Sequence, residues 1–325
     1  MFDRREHVSD RAYSVVIPAR DAAAFVTEAI ASAHAQVPAP VRVIVVDDGS
    51  VDETGRIAHG AGAHVVRCGG VGPGAARNAG VTAADTHYVA FLDADDCWAP
   101  SHAALCLDAM RVTGAGVAFS ATRTFGRVEA LLTADVPANE AFDARLRLLG
   151  ENFVPQTGTF VDRALFGDAG GYDGSFTVSE DFDLWLRLAE RTAFVYTGEA
   201  TALRRVHRTQ MSLLQRDAIV HHSWRARIAA VERYAATHTP DEVATWDAVL
   251  TRAAGHDIEV AIWNGRMGTL DSLLDIFAGV SLHAPRRSLA TGIGLEGDGA
   301  RWRRLRLRLR CAANGVVRQL LDDRV

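Results

Sequence analysis

The chain has 325 residues, of which 48% are hydrophobic and 23% charged, and its formal net charge at pH 7 is −5. This composition indicates an ordinary soluble globular protein rather than a disordered chain, and the negative balance of charge gives no reason to expect a nucleic-acid partner. The length is sufficient for one large α/β domain, or for such a domain with a smaller companion.

Cysteine usage and apolar runs indicate the compartment. The four cysteines show no CxxC spacing, which favours a reduced, intracellular environment. The first 14 residues lack the apolar segment of a secretory signal, and no run approaches the roughly 18 to 20 apolar residues of a membrane span. We therefore expect a cytoplasmic protein, either free or held peripherally at the inner face of the membrane.

The first half of the chain alternates between strand and helix patterns, and a mixed pattern follows from about residue 101 to 200. Short apolar runs predict strands at 13–18, 41–48, 63–68, 87–93 and 116–122. Apolar spacing predicts helices over 21–36, over 75–84 and near 101–113. Two further helices are predicted from their start signals: one runs from a capping box at Ser50 and Glu53 to about Gly60, and the other begins at Ser179. Such alternation predicts an α/β fold with a mostly parallel sheet flanked by helices on both faces.

Polar and glycine-rich segments follow four of the predicted strands. They are Pro18–Asp21, Asp47–Asp48, Gly69–Gly74 and Asp93–Asp96. Because open α/β sheets bind ligands at the carboxyl ends of their strands, we expect these segments to converge on one ligand-binding edge.

Beyond about residue 215 the strand patterns end and helical patterns follow. We therefore predict two regions, an α/β domain over 12–215 and a helical C-terminal region over 216–325. The tail at 301–322 has an amphipathic, arginine-rich pattern, although its RLRLRLR core also fits strand alternation. Two interpretations stay open: a helix docked on the protein, or a basic amphipathic helix at an anionic membrane. On the second, removal of 300–325 weakens binding to anionic liposomes.

The acidic clusters at the predicted edge are Asp47–Asp48 and Asp93–Asp96. Neighbouring carboxylates disfavour each other's ionisation, so their grouping needs a reason. One interpretation is a solvated loop whose aspartates cap helices. The other is a site for Mg²⁺ or Mn²⁺, which bind carboxylate oxygens together with substrate phosphates.

The glycine-rich turn admits two functional interpretations and a structural one. Gly70, Gly72 and Gly74 follow a strand and open a helix, as in a dinucleotide-binding fingerprint. The turn follows the third strand, however, and the acid downstream belongs to a cluster. Arg77 in the following helix would direct a cation at a bound phosphate. A flexible turn without a ligand is the structural alternative.

Two later segments carry candidate residues with strong structural alternatives. In SEDFDLWLRLAE (179–190), the acids in the first turn complement the helix dipole. This structural role alone explains an aspartate at position 181, so the pattern does not require Asp181 to be catalytic. RRVHRTQMS (204–212) contains His207, one of 12 histidines, most of which are expected to be structural or exposed.

Taken in order, these segments resemble glycosyltransferase family 2, whose domain has the GT-A fold. The matching motifs are VVIPARD (15–21), IVVDDGSVDET (44–54), GPGAARNAG (72–80), VAFLDADD (89–96), SEDFDLWLRL (179–188) and RRVHRTQMS (204–212). They cover roughly residues 12–215, and the C-terminal helical region carries none of them.

The resemblance implies roles for individual residues. The implied donor-binding residues are Pro18, Ala19, Arg20, Asp21, Asp48, Arg77 and Asp93. Within this set, Asp48 binds the base, Arg77 approaches the ribose or diphosphate, and Asp93 faces the ribose. The implied metal ligands are Asp95 and His207, and His207 has a diphosphate contact as its alternative role. Asp181 is the implied catalytic base, with Asp47, Asp96 and Glu180 in support.

The resemblance also implies the reaction: inverting, metal-dependent transfer of a sugar from a nucleotide-diphospho-sugar to an acceptor hydroxyl, with Mn²⁺ or Mg²⁺ as cofactor. Such families usually carry an aromatic residue at the position of Arg20, so UDP-, dTDP- and GDP-sugars all remain candidate donors. The QxxRW signature of processive synthases is missing, which favours transfer of one or a few sugars, as in cell-envelope or polysaccharide biosynthesis. The alternatives are an NAD(P)-dependent oxidoreductase using Gly70–Gly74 and a catalytically silent nucleotide-sugar-binding protein.

Overall fold

A computed structural model describes residues 11–207, 210, 215–235, 239–263 and 266–280. The chain divides into two compact units. The first contains the described residues up to Ala144 together with Phe153–Gln210, and the second contains Arg145–Asn152 and the described residues after Met211. The predicted division near residue 215 did not include the short internal segment that belongs to the second unit.

The first unit has ten strands among its described residues. They are β1 (Tyr13–Ala19), β2 (Arg42–Asp48), β3 (His64–Cys68), β4 (Tyr88–Phe91), β5 (Cys97–Trp98), β6 (Val117–Gly126), β7 (Ala130–Leu132), β8 (Ala141–Phe142), β9 (Thr159–Asp162) and β10 (Phe194–Val206). The helices of the two units, in chain order, are α1 (Val26–His34), α2 (Thr54–Gly60), α3 (Pro73–Thr82), α4 (His102–Thr113), α5 (Arg145–Gly150), α6 (Arg163–Asp168), α7 (Glu180–Ala189), α8 (Arg216–Ala235), α9 (Pro240–Trp263) and α10 (Met267–Val280).

The ten strands form one mixed sheet in the order β3-β2-β1-β4-β9-β6-β10-β5, with β7 on β6 and β8 on β10. Strands β3, β2, β1 and β4 are parallel, and β10 is parallel to β6. Because β9 is antiparallel to both β4 and β6, β6 and β10 run in the same direction as β1 to β4. The carboxyl ends of six strands therefore share one edge of the sheet, and the predicted α/β class is confirmed.

Helix α3 packs closely on the sheet because it carries a glycine at the contact. A Cβ atom on Gly80 would lie 2.4 Å from Cγ1 of Val16 and 3.1 Å from Cγ2 of Val46. Both valines are fully buried. The close approach packs α3 directly against β1 and β2.

Substitution Gly80→Ala tests this contact. Alanine gains about 1 kcal/mol of helix propensity over glycine, but overpacking a well-packed core costs roughly 1–3 kcal/mol. We expect a net decrease of up to about 2 kcal/mol in the free energy of unfolding, measured by urea denaturation. Gly167→Ala in α6, where an added Cβ meets nothing within 4 Å, is the matched control. Equal stability of the two variants would contradict the proposed contact.

One predicted local feature was wrong. Helix α2 begins at Thr54 rather than at a capping box between Ser50 and Glu53, and its first residues are held by Asp52, whose Oδ1 accepts from the Thr54 N–H at 3.0 Å. The Ser50 hydroxyl oxygen instead accepts from the backbone N–H of Asp21 at 3.0 Å. Ser50 is therefore used to join two loops of the ligand edge, which local spacing does not reveal.

The second unit is helical in its described residues, as predicted. Its core contains the fully buried side chains Trp224, Leu270 and Leu273, and the Trp224 indole donates to Asp257 at 2.7 Å. The Arg227 guanidinium donates to the backbone oxygen of Leu149 in α5 at 2.9 Å. The predicted amphipathic tail at 301–322 lies outside the described residues. Among the described residues, no helix combines the length and apolar content needed to cross a membrane.

Candidate active site

The loops after β1 and β2 are tied together at the carboxyl edge. Asp21 adopts a left-handed backbone (φ +50°), and its carboxylate accepts from the Val51 N–H at 2.8 Å. The next backbone N–H, that of Ala22, donates to the Thr54 hydroxyl at 2.8 Å. These bonds join the loop after β1 at Asp21 and Ala22 to the loop after β2.

Asp48 organises the glycine-rich turn. Its carboxylate is 4% exposed and accepts backbone N–H groups from three successive residues: Gly70 at 2.9 Å, Val71 at 2.8 Å and Gly72 at 2.8 Å. The side chain of Arg20 lies over the same turn, with Nη1 3.6 Å from the position that a Cβ of Gly70 would occupy. The turn is thus shaped by an acid at the end of β2 and covered by a cation from the end of β1.

Replacement of Asp48 by Ala should loosen this turn. Each buried donor left without a partner costs roughly 1–3 kcal/mol, and water can reach part of this exposed turn. We therefore expect the free energy of unfolding to fall by about 1–3 kcal/mol in total, measured by urea denaturation. Asp47→Ala is the control, because the Asp47 carboxylate accepts a backbone N–H from Ser50, at 3.1 Å, and none from the glycine-rich turn among the described residues. A cost no larger than that of the control would show that Asp48 does not hold the turn.

Arg77 joins two acidic segments that are distant in sequence. It lies in α3 with its side chain 6% exposed, and it donates from Nη2 to Asp93 at 2.8 Å and from Nη1 to Glu180 at 2.6 Å. Its guanidinium carbon lies 5.5 Å from the centre of the Tyr172 ring. Burial alone would lower the pKa of Arg77, but the charges of Asp93 and Glu180 outweigh that effect, so the pKa is raised. Arg77 therefore joins the acids after β4 to the start of α7.

Asp181 lies in the first turn of α7, next to this ion-paired cluster. Burial, followed by the charge of Glu180, raises the pKa of Asp181 to about 6. The preceding residue, Ser179, adopts a left-handed backbone (φ +57°) that is unfavourable for a non-glycine residue. A carboxylate with a pKa close to neutrality is suited to accept a proton from a substrate.

The remaining acids follow β4 and face the end of β10. His207 Nε2 lies 2.8 Å from Asp95 Oδ2, with the two side chains 20% and 32% exposed. Asp96 is buried and accepts the backbone N–H of Arg205 at 2.8 Å. Burial, together with Asp93 and Asp95, raises the pKa of Asp96 well above its usual value.

The pair Asp95 and His207 fits a divalent cation. Across the part of the chain that the structure describes, no group of three or more His, Cys, Asp and Glu could hold a metal by itself. A carboxylate oxygen and an imidazole nitrogen are nevertheless suitable ligands, and Mg²⁺ usually binds one or two carboxylates together with substrate phosphates. The donor set present here therefore suits a cation that is shared with a bound diphosphate.

Most residues singled out from the sequence lie at this edge. Pro18 and Ala19 end β1, Arg20 and Asp21 follow it, and the acids cluster as described. Arg77 is buried between carboxylates, so its contact with the ribose or diphosphate of the nucleotide-sugar stays a prediction. The contact of Asp48 with the nucleobase also stays a prediction. Arg205 was not predicted, because its partners Glu28, Asp95 and Asp96 are more than 100 residues away in sequence.

Comparison with known proteins agrees with this geometry. Residues 14–167 match the model of the glycosyl transferase family 2. An uncharacterized glycosyltransferase of Rickettsia prowazekii is 26% identical over 216 residues, which is 63% of this chain and 67% of that protein. The chain spans between 30% and 67% of the length of four curated relatives that it matches.

Solved structures share the fold at low sequence identity. S. aureus TarS (residues 1–349), solved with UDP-GlcNAc, superimposes with a TM-score of 0.70 at 16% identity, and the match covers 95% of this chain and 92% of that TarS segment. The mannosyltransferase PcManGT of Pyrobaculum calidifontis, solved with GDP-Man and Mn²⁺, has a TM-score of 0.54 at 15% identity, covering 96% and 88%. With the family match, the shared fold and the ordered edge motifs, residues 14–167 belong to glycosyl transferase family 2, and the protein is a glycosyltransferase with a GT-A-like fold.

Proposed function

We propose that this glycosyltransferase is inverting and metal-dependent, and that it moves one sugar, or a few, from a nucleotide-diphospho-sugar to an acceptor hydroxyl. The observation that carries the proposal is the Arg77 bridge, which joins Asp93 at 2.8 Å and Glu180 at 2.6 Å. It brings the acids that would bind the donor next to Asp181, the acid that would activate the acceptor. The missing QxxRW signature supports non-processive transfer.

Asp181 is proposed as the general base. Its carboxylate would take the proton of the acceptor hydroxyl while the oxygen attacks the anomeric carbon in line with the departing diphosphate. Its pKa of about 6 keeps it ionised at neutral pH while leaving it basic enough to accept that proton. A single displacement of this kind inverts the configuration at the anomeric carbon.

Asp95 and His207 are proposed to hold Mn²⁺ or Mg²⁺ together with the donor diphosphate. A cation there supplies charge stabilisation for the leaving group. Asp96 supports the turn that carries Asp95 through its bond to the Arg205 N–H. The Mn²⁺ named with PcManGT is consistent with this assignment but belongs to that protein.

The donor nucleotide is proposed to lie between the ends of β1 and β2. Arg20 covers the glycine-rich turn there, and its planar guanidinium can stack on a base. TarS was solved with UDP-GlcNAc and PcManGT with GDP-Man, so both uridine and guanosine donors are candidates, with thymidine as a third. Pro18, Ala19 and Asp21 would line this nucleoside pocket.

The oxidoreductase alternative is disfavoured by the bonds of the glycine-rich turn. A dinucleotide fingerprint needs backbone N–H groups directed at the pyrophosphate, whereas those of Gly70, Val71 and Gly72 donate to Asp48. The turn also follows β3 at the end of the strand order, not a central strand. A catalytically silent binding protein is disfavoured by the intact acidic motifs SED (179–181) and DADD (93–96).

A thermal-shift screen of nucleotide-sugars tests the proposal. The purified chain would be heated with UDP-, dTDP- and GDP-sugars, each with and without Mn²⁺. We expect one nucleotide class to raise the melting temperature, and the rise to be larger with Mn²⁺, because a ligand that binds the folded state alone stabilises it. NAD(P)H serves as the control. Stabilisation by NAD(P)H with none by any nucleotide-sugar would overturn the proposal.

A further inference from the structure

Arg205, near the end of β10, contacts both the acidic turn after β4 and helix α1. Its Nε donates to the backbone oxygen of Asp95 at 3.0 Å, and its backbone N–H donates to Asp96 at 2.8 Å. Its Nη2 pairs with the carboxylate of Glu28. One residue therefore binds two successive members of the acidic turn by different groups.

Two aromatic rings hold this guanidinium in place. The guanidinium carbon lies 4.5 Å from the centre of the Phe125 ring and 5.3 Å from that of Phe25. The Phe25 ring also lies 5.2 Å from the His207 ring. Phe25 therefore contacts both Arg205 and the histidine two residues further along the chain. Cation–π contacts with both rings stabilise the guanidinium in this position.

We propose that Arg205 is a positioning residue that aligns Asp95 with His207 and thereby sets the affinity of the pair for a divalent cation; this rests on the metal site in the proposed function. Asp95 and His207 come from segments 112 residues apart in sequence. The short antiparallel pairing of Leu203 with Cys97 brings the two segments together, and Arg205 holds the turn between that pairing and Asp95. Arg205 itself touches neither the cation nor the sugar.

The contacts require arginine rather than a generic cation. Nε and Nη2 donate in different directions from one planar group, to the Asp95 oxygen and to Glu28. Lysine keeps the charge but lacks this fixed fork. Loss of a group that orients a metal ligand typically costs 10–100-fold in metal affinity. Arg205→Lys should therefore weaken metal binding without removing the positive charge.

Direct Mn²⁺ binding is the test. Mn²⁺ would be titrated into the full chain in the presence of UDP, GDP or dTDP, and free Mn²⁺ measured by electron paramagnetic resonance. For Arg205→Lys we expect a dissociation constant for Mn²⁺ roughly 10–100-fold above that of the wild type. Without metal, Arg205→Lys should bind the nucleotide as tightly, and melt at the same temperature, as the control variant Arg123→Lys. Arg123 is exposed and lies on the neighbouring strand β6.

The outcomes separate this inference from the proposed function. If the wild type binds no Mn²⁺ with any of the three nucleotides, the metal site fails and the inference is overturned with it. If the wild type binds Mn²⁺ and Arg205→Lys binds it equally well, the inference alone is overturned. A parallel loss of metal-free nucleotide binding would assign Arg205 a general structural role and also overturn it. Glu28→Gln, which removes the exposed ion pair but keeps the Nε bond, should cost only a few-fold in Mn²⁺ affinity.

Discussion

Replacement of Asp181 by Asn is expected to lower the rate of sugar transfer by roughly 10²–10⁴-fold, the contribution of a positioned general base. Asparagine keeps the size of the side chain and its capacity to accept the backbone N–H of Phe182, which lies 2.7 Å from the carboxylate. The variant should therefore fold, and its donor affinity should be unchanged. The measurement is kcat for transfer beside thermal-shift titration of the donor.

Glu190→Gln is the control for this substitution. It makes the same carboxylate-to-carboxamide change at an exposed position that follows the same helix, and we expect wild-type kcat. Turnover of Asp181→Asn at the rate of the control would remove Asp181 as the base. Loss of donor binding together with turnover would instead indicate that Asp181 holds the site together.

The same residue predicts a pH dependence. Because the base must be deprotonated, kcat/KM should rise with pH and level off above about pH 6, the pKa of Asp181. A raised pKa means that the folded chain binds this proton more tightly than the unfolded chain, so protonation below pH 6 favours the folded state. Activity should thus fall in acid without unfolding caused by this group. Glu180→Gln, which removes the neighbouring negative charge, should move the midpoint to lower pH.

Removal of divalent cations is the second large expected effect. EDTA should lower transfer by roughly 10³-fold, since a cation at a developing phosphate charge is worth several kcal/mol. Added Mn²⁺ or Mg²⁺ in excess of the chelator should restore it. The measurement is release of nucleoside diphosphate from the donor in the presence of a working acceptor.

Matched variants connect this effect to the proposed ligands. Asp95→Asn and His207→Ala should each raise the Mn²⁺ concentration needed for half-maximal rate, whereas His87→Ala, which alters a half-exposed histidine paired with Asp162, should not. The melting temperature without donor should be the same with and without EDTA. Full activity in EDTA would show that the positive charge at the diphosphate is supplied by protein residues.

Much of the fold could be predicted because strand and helix periodicities in the first half are strong. The buried runs of β1, β2 and β4 are continuous in sequence, and so is the acidic segment after β4. Asp93, Asp95 and Asp96 were therefore identified as a cluster from their position alone. The role of His207 depended on family resemblance, because its proximity to Asp95 requires the end of β10 to pair with β5, which follows the acidic turn.

Hydrogen bonds between residues of different loops could not be predicted from local sequence patterns. Asp48 has a spacing typical of a ligand-edge acid, yet its carboxylate is engaged by three N–H groups of a turn more than 20 residues away. The spacing of Ser50 and Glu53 fits a capping box. The Ser50 hydroxyl instead accepts the backbone N–H of Asp21, which lies in another loop. Both sets of hydrogen bonds depend on the order of strands in the sheet, and a short stretch of sequence does not reveal that order.

The internal segment Arg145–Asn152 has a practical consequence for preparing the family 2 domain alone. Leu148 and Leu149 in α5 are fully buried, and Arg227 donates to the backbone oxygens of Leu149 and Gly150 at 2.9 and 3.1 Å. A protein shortened at residue 215 would retain α5 but lose those partners. It would expose two leucines at the surface, which favours aggregation during purification. A soluble short form must keep the C-terminal helices or replace the apolar residues of α5.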